Sequence, residues 1–101
     1  MSNNIQYFVI IGEQKKKDKY LQLLGEYGAH VIESVYAHGS VSTNTIAAAF
    51  GFEFEPGKIM ITCLLKTEKA KELIEILHKE YKFNKPNTGI AYSIKVDGIA
   101  F

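Results

Sequence analysis

The sequence predicts a single α+β domain in which a four-stranded antiparallel sheet carries two helices on one face. Four segments are rich in apolar, β-branched and aromatic residues, and two others place apolar residues at helical spacing. Their order along the chain is β-α-β-β-α-β. A chain of 101 residues with an apolar fraction of 47% can bury one core, so residues 1–101 are predicted to form one domain.

The first half of the chain contains two strands and a helix. Ile5 to Ile11 is a continuous apolar run that ends at Gly12, which indicates a buried strand. Gly28 is placed to end the first helix in a left-handed conformation. His30 to Tyr36 is rich in Val, Ile and Tyr and predicts the second strand. The apolar face of the first helix consists of Tyr20, Leu23, Leu24 and Tyr27.

The second half repeats the pattern in the order strand, helix, strand. Lys58 to Leu65 is apolar at nearly every position and predicts the third strand. Thr67 is predicted to cap the second helix, with Glu68 near the positive end of the helix. Gly89 to Val96 alternates apolar and polar residues, as a strand does. The apolar face of the second helix consists of Ala70, Leu73, Ile74, Leu77 and Tyr81.

This order is the ferredoxin-like βαββαβ sandwich. Right-handed crossovers place the first and third strands in the middle of the sheet and both helices on one face. Ile5–Ile11 and Ile59–Leu65 are apolar on both faces, so the face without helices needs cover. We expect other subunits to supply that cover. Ile61 is a candidate for a position that faces them, although the sequence leaves its face open.

Two connections are candidates for function. Ala37 to Gly57 is far longer than a hairpin needs and is predicted to contain a short helix over residues 46–50. That helix either serves function or covers a sheet edge or a neighbouring subunit. Asn84 to Gly89 is rich in Pro, Asn and Gly and directly precedes the last strand. It either turns the chain or holds a small anion.

Charge and composition exclude several functions. The net charge is +1, and all 12 basic residues are lysines, so neither nucleic-acid binding nor membrane insertion is expected. An acylphosphatase-like enzyme would need an arginine to bind phosphate, so no enzymatic activity is predicted. The run Lys15–Lys17 is interpreted as solvated. The single cysteine, Cys63, is predicted to be buried, and a reducing, cytoplasmic location fits the absence of a signal peptide.

No metal site is predicted. The histidines match no metal-ligand spacing, and His38, beside Gly39, is kept only as a weak candidate for a ligand or metal contact.

Three stretches resemble the P-II nitrogen-regulatory proteins, and more closely their small P-II-like relatives with a shortened loop. They are AHGSVS after the second strand, the long connection that follows it, and KPNTGIAYSIKV through the last strand. Members of that family are trimers whose sheets face the three-fold centre. Their long connection, the T-loop, docks onto target proteins, and their B-loop, before the last strand, helps to hold a nucleotide between subunits. The resemblance therefore implies a cytoplasmic homotrimer that acts as a signalling protein in nitrogen utilisation and regulates a partner protein, here unidentified, through residues 37–57.

The resemblance also implies a ligand site between subunits. ATP or ADP is a candidate ligand, but Ile90 stands where the family has its B-loop lysine, and the chain contains no arginine. Residues 37–57 also lack the tyrosine that the larger family members use for uridylylation. We therefore expect weak binding of adenine nucleotides or a preference for a smaller anion. The implied site residues are Gly39 and Ser40 from the T-loop base and Lys85, Asn87, Thr88 and Gly89 from the B-loop.

A second class of protein has the same order of elements. A trimeric module of the CutA or ACT type would bind a metal or a small molecule without nucleotide signalling. The length of the 37–57 connection favours the P-II-like alternative.

Overall fold

Strands and helices follow one another in the predicted order. The computed structural model describes residues 4–37, 56–86 and 88–98. In these residues a short 3₁₀ turn, Gln14–Lys16, joins the first strand to the first helix. The elements are β1 (Ile5–Glu13), α1 (Lys17–Glu26), β2 (His30–Tyr36), β3 (Lys58–Lys66), α2 (Thr67–Lys79) and β4 (Gly89–Lys95).

The four strands form one antiparallel sheet in the order β2-β3-β1-β4. The first and third strands therefore lie in the middle, as predicted. In the register of the sheet, Ile10 of β1 lies opposite Ile61 of β3 and Ala91 of β4. These three positions face the helices and join one apolar core with side chains of α1 and α2. The predicted ferredoxin-like α+β class is confirmed.

The core between the sheet and the helices follows from the apolar periodicity of each element. Each fully buried aliphatic or aromatic side chain stabilises the fold by roughly 1.5–3 kcal/mol. Cys63 belongs to this core, and burial raises the pKa of its thiol to about 12. The fully buried side chains of this core include Phe8, Ile10, Tyr20, Leu24, Ile59, Ile61, Leu73 and Leu77.

The other side of the sheet, here called the open face, is apolar but only partly exposed. Val9 and Ile11 on this face are buried, because they pack against Met60, Ile90 and Tyr92. Tyr7 and Ile94 are exposed near the end of the sheet where β1 begins, and Val35 of β2 is exposed near the other end. Residues directly opposite in antiparallel strands share a face. The open face therefore includes Tyr7, Val9, Ile11, Met60, Thr62, Leu64, Ile90, Tyr92 and Ile94, together with Glu33 and Val35 of β2.

Three sequence predictions need correction. Ile61 lies in the helix-side core and is fully buried, so it does not face another subunit. Thr67 is the first residue of α2, and the N-cap position is held by Lys66 without a side-chain cap. The Thr67 hydroxyl instead accepts a hydrogen bond from Gln6 Nε2 at 3.1 Å, which ties the start of α2 to β1. Ile74, predicted to be on the buried face of α2, is 37% exposed.

The edge strand β2 is irregular near its start. The register shifts between His30 and Glu33, so that Val31 and Ile32 both lie opposite Cys63. Val31 has a φ of 52°, in the left-handed region that β-branched residues rarely adopt. Such a bulge increases the local twist and makes an edge strand a poorer template for pairing.

Neither α1 nor α2 is long and apolar enough to cross a membrane, and no other helix among the described residues is.

Candidate functional site

The long connection leaves and re-enters the sheet at the same end as the one at which the turn before β4 enters it. β1 and β2 end there, and β3 and β4 begin there, as shown by the pairing of Glu13 with Lys58 and of Gly12 with Gly89. We call this the loop end. The sequence therefore brings the bases of its two candidate loops to one edge of the molecule.

Backbone hydrogen bonds fix both ends of the long connection. Ala37 N–H donates to the Lys58 carbonyl at 3.1 Å, and Gln14 N–H donates to the Gly57 carbonyl at 2.8 Å. Within one chain, β1 separates β3 from β4, so the base of the connection lies about 10 Å, or two strand spacings, from the turn. Within one subunit, a ligand that contacts both loops must therefore span this distance.

The turn before β4 is held by its own backbone. Phe83 N–H donates to the Leu77 carbonyl at 3.1 Å, which ties the turn to the last part of α2. Lys85 N–H donates to the Lys82 carbonyl at 2.9 Å, and Thr88 N–H donates to the Lys85 carbonyl at 3.4 Å. Because these two N–H groups are used inside the turn, the side chains of Lys85 and Thr88 are the groups left to contact a ligand.

Two aromatic rings anchor the turn on paired glycines. The Phe83 ring occupies the space in which a Cβ atom of Gly89 would lie, and the Tyr20 side chain does the same at Gly12. The two rings meet edge to face, with centroids 6.2 Å apart. Burial raises the pKa of Tyr20 to about 12, so its hydroxyl stays neutral at physiological pH. This packing sets the position of the turn relative to β1 and α1.

Lysines cluster around one carboxylate at the loop end. Glu13 lies 3.3 Å from the Lys15 ammonium and 3.6 Å from that of Lys16. The pKa of the Glu13 carboxyl is lowered mainly by the hydrogen bond from Lys15, partly offset by desolvation, and further by the charges of Lys15, Lys16 and Lys58. Lys15 and Lys16 against one carboxylate leave one positive charge in excess, a field that favours anions.

The contribution of this cluster is not predicted from the sequence, in which Lys15–Lys17 indicates a solvated run and Lys58 is only the start of a strand. The antiparallel pairing that places Lys58 opposite Glu13 is the signal that joins them: Lys58 begins the predicted third strand, and Glu13 lies two residues beyond the predicted end of the first. Lys17 is also engaged, because its ammonium donates a hydrogen bond to the Tyr36 hydroxyl at 2.7 Å.

Half of the predicted ligand-binding residues can be placed. Lys85 is exposed, Thr88 is half-buried and Gly89 is buried, and all three lie together at the loop end. The rest of the predicted site lies outside the described residues, namely Gly39, Ser40, Asn87 and the weak metal candidate His38. In the parts of the chain that the structure describes, no three His, Cys, Asp or Glu side chains are grouped to hold a metal. The assembled cleft stays a prediction.

Comparison with known proteins identifies the fold. No family model and no curated protein matches the sequence. Among solved structures, the apo form of CPII from Thiomonas intermedia K12, a nitrogen regulatory PII-like protein, is 17% identical with a TM-score of 0.64, over 91% of this chain and 88% of CPII. A structure from Thermus thermophilus, described as that of a PII-like signalling protein, is 20% identical with a TM-score of 0.62, over 91% and 86% of the two chains.

CPII has also been solved with small ligands. The structure with ADP, AMP and acetate is 20% identical to this chain and has a TM-score of 0.62, over 91% of this chain and 87% of CPII. Another holds ADP and bicarbonate. The chain therefore has the fold of PII-like nitrogen-regulatory proteins, as the resemblance in sequence implied.

Proposed function

We propose that this protein is a PII-like signalling protein and not an enzyme. It binds a small anionic ligand in clefts between the subunits of a homotrimer, and it acts in the cytoplasm on a partner protein through residues 37–57. The observation that carries the proposal is the convergence of both candidate loops on the loop end, where Lys15 and Lys16 lie within 3.6 Å of a single carboxylate.

The ligand we propose is an adenine nucleotide of low charge or a small anion such as bicarbonate. CPII, which has the same fold, is solved with ADP, AMP and bicarbonate. The loop end of this chain offers only lysines as cations, which act as point charges and lack the two-pronged geometry of arginine. A triphosphate therefore gains less binding free energy here than it would at an arginine-lined site.

The proposed contacts divide between the two loops. Lys85 supplies a mobile positive charge, Thr88 a hydroxyl and Asn87 an amide. Gly39 and Ser40, at the base of the long connection, complete the site from the neighbouring subunit. Gly89 serves mainly to let Phe83 pack, which keeps Lys85 and Thr88 in position.

The experiment is a thermal-shift titration with ADP, AMP, ATP and bicarbonate. A ligand at a hundred times its dissociation constant adds about 2.7 kcal/mol to the free energy of unfolding, so a bound ligand raises the melting temperature visibly. Lys85→Ala is expected to reduce the shift. Lys71→Ala is the matched control, because Lys71 is an exposed lysine in α2 outside the loop end.

The result that contradicts the proposal is equally direct. If none of the four ligands changes the melting temperature at millimolar concentration, the site at the loop end is wrong. A shift that Lys85→Ala and Lys71→Ala reduce equally would place the ligand elsewhere on the protein.

A further inference from the structure

We infer that the opposite end of the sheet holds a second ligand site, a pocket for a small molecule with an apolar body and one carboxylate group. The inference goes beyond the proposed function, because none of its residues lies at the loop end, although Leu64 also belongs to the open face. The pocket has a volume of about 620 Å³. It is lined by Ile5, Glu26, Tyr27, Gly28, His30, Leu64, Leu65, Lys66 and Lys69.

The local sequence explains why a pocket forms here. Gly28, with a φ of 75°, turns the chain from α1 into β2 and brings no side chain to the pocket wall. Ala29 N–H donates to the Leu24 carbonyl at 3.0 Å, which closes this turn tightly. The register shift that begins at His30 then interrupts the regular pairing of β2 with β3 beside the pocket. Five elements therefore border the pocket, and none of them fills it.

The interior of the pocket suits an apolar body. Leu65 is buried, whereas Ile5, Tyr27 and Leu64 are half-buried and offer apolar surface toward the pocket. The volume lies within the range of about 300–1,000 Å³ that small-molecule sites occupy. Burying an alkyl or aromatic group here removes apolar surface of both ligand and protein from water.

The rim of the pocket suits one negative charge. Lys66, Lys69, Glu26 and His30 are exposed and border the pocket. With histidine neutral, two lysines and one glutamate leave one positive charge in excess. None of the ion pairs between described residues involves Lys66 or Lys69.

Lys69 is already held beside the apolar surface. Its ammonium lies 5.7 Å from the centroid of the Tyr27 ring, within the range of a cation–π contact. A ligand whose apolar body lies against Tyr27 therefore has its charged end near Lys69. A cation would meet two lysines against one glutamate at this rim, and a neutral ligand would gain nothing from the excess charge.

Octanoate is the probe that tests this chemistry on the full chain. Amide shifts in two-dimensional NMR are followed while octanoate, octanol, octylamine or acetate is added at millimolar concentration. We expect saturable shifts of the Tyr27 and Gly28 amides with octanoate. Octanol and octylamine should bind more weakly, and acetate should not bind. Added salt should weaken the binding of octanoate and leave the binding of octanol unchanged. This comparison uses the natural protein and needs no variant.

Charge variants identify the residues responsible. The double variant Lys66→Gln/Lys69→Gln should lower the affinity for octanoate by about fivefold, as expected for two partly solvated charge contacts. The affinity for octanol should not change. Lys71→Gln is the control, because it removes one lysine charge from α2, the helix that carries Lys69, at a position that does not line the pocket. Lys85→Ala should leave octanoate binding unchanged, which separates this site from the loop end.

Three results would overturn the inference. The first is an absence of shifts at Tyr27 and Gly28 with octanoate. The second is octanol binding as tightly as octanoate at every salt concentration. The third is an equal loss of octanoate affinity in Lys71→Gln and in the double variant.

Discussion

Gly12 and Gly89 face each other across β1 and β4, and each gives the space of a side chain to an aromatic ring. Phe83 fills the space at Gly89 and Tyr20 the space at Gly12, and the two rings then contact each other. The sequence identified Gly89 as a turn residue that an anion could approach. It could not show that the two rings meet, because Tyr20 and Phe83 come from opposite ends of the chain.

Gly89→Ala is expected to destabilise the protein by about 1–3 kcal/mol. The new Cβ atom would overlap the Phe83 ring and lie 2.9 Å from the Ile11 carbonyl oxygen, and a backbone oxygen in a central strand cannot move aside cheaply. Urea unfolding followed by circular dichroism measures the change. Because the fold itself is affected, Gly89→Ala is a poor test of ligand binding, and Lys85→Ala is the better one.

Gly25→Ala is the control for this prediction. Gly25 lies in α1, and a Cβ atom there would have nothing within 4 Å. Alanine should therefore stabilise the helix by about 0.5–1 kcal/mol. If Gly89→Ala is as stable as the natural protein, the packing of Phe83 on Gly89 is not a constraint on this fold.

At the scale of elements, periodicity predicted most of the structure. The bounds of β2 are those predicted, and β1 and β3 are only slightly longer than predicted. The predictions that failed depend on neighbours across the sheet. Thr67 was predicted to cap α2 from its local sequence, but Gln6, distant in sequence, uses its hydroxyl. The lysine cluster at the loop end was missed for the same reason.

Val31→Asn is expected to stabilise the protein by about 1 kcal/mol. Val31 has a left-handed φ of 52° and is 66% exposed, so its side chain gains little from packing while the backbone is strained. Left-handed conformations cost most residues roughly 1–2 kcal/mol, and asparagine adopts them more readily. Thermal and urea unfolding both report the change.

Val35→Asn is the matched control in the same strand. Val35 is 50% exposed and is not among the positions with positive φ, so the loss of a β-branched residue should cost up to about 1 kcal/mol. Equal destabilisation by Val31→Asn and Val35→Asn would show that the bulge carries no strain that asparagine can relieve.

For the whole molecule, the proposed trimer depends on which sheet face is free to meet another subunit. Both central strands are apolar on both faces, so the sequence could not assign Ile61 to either side. The structure places Ile61 in the core under the helices and leaves Tyr7 and Ile94 exposed on the open face. The same face is already buried at Val9 and Ile11 within one chain. The exposed apolar side chains that an interface through it can cover are therefore Tyr7 and Ile94 near the start of β1 and Val35 on β2.

Tyr7→Glu tests the proposed trimer directly. Tyr7 is 39% exposed on the open face, so a carboxylate there should cost a single chain little. Buried without a partner between subunits, it should cost several kcal/mol and dissociate the trimer into folded monomers. Ile74→Glu is the control, because Ile74 is 37% exposed on α2, on the opposite side of the sheet. Light scattering after gel filtration gives the masses: we expect a trimer for the natural protein and for Ile74→Glu, and a monomer for Tyr7→Glu. A monomeric natural protein, or a trimer that survives Tyr7→Glu, would exclude the open face as the interface.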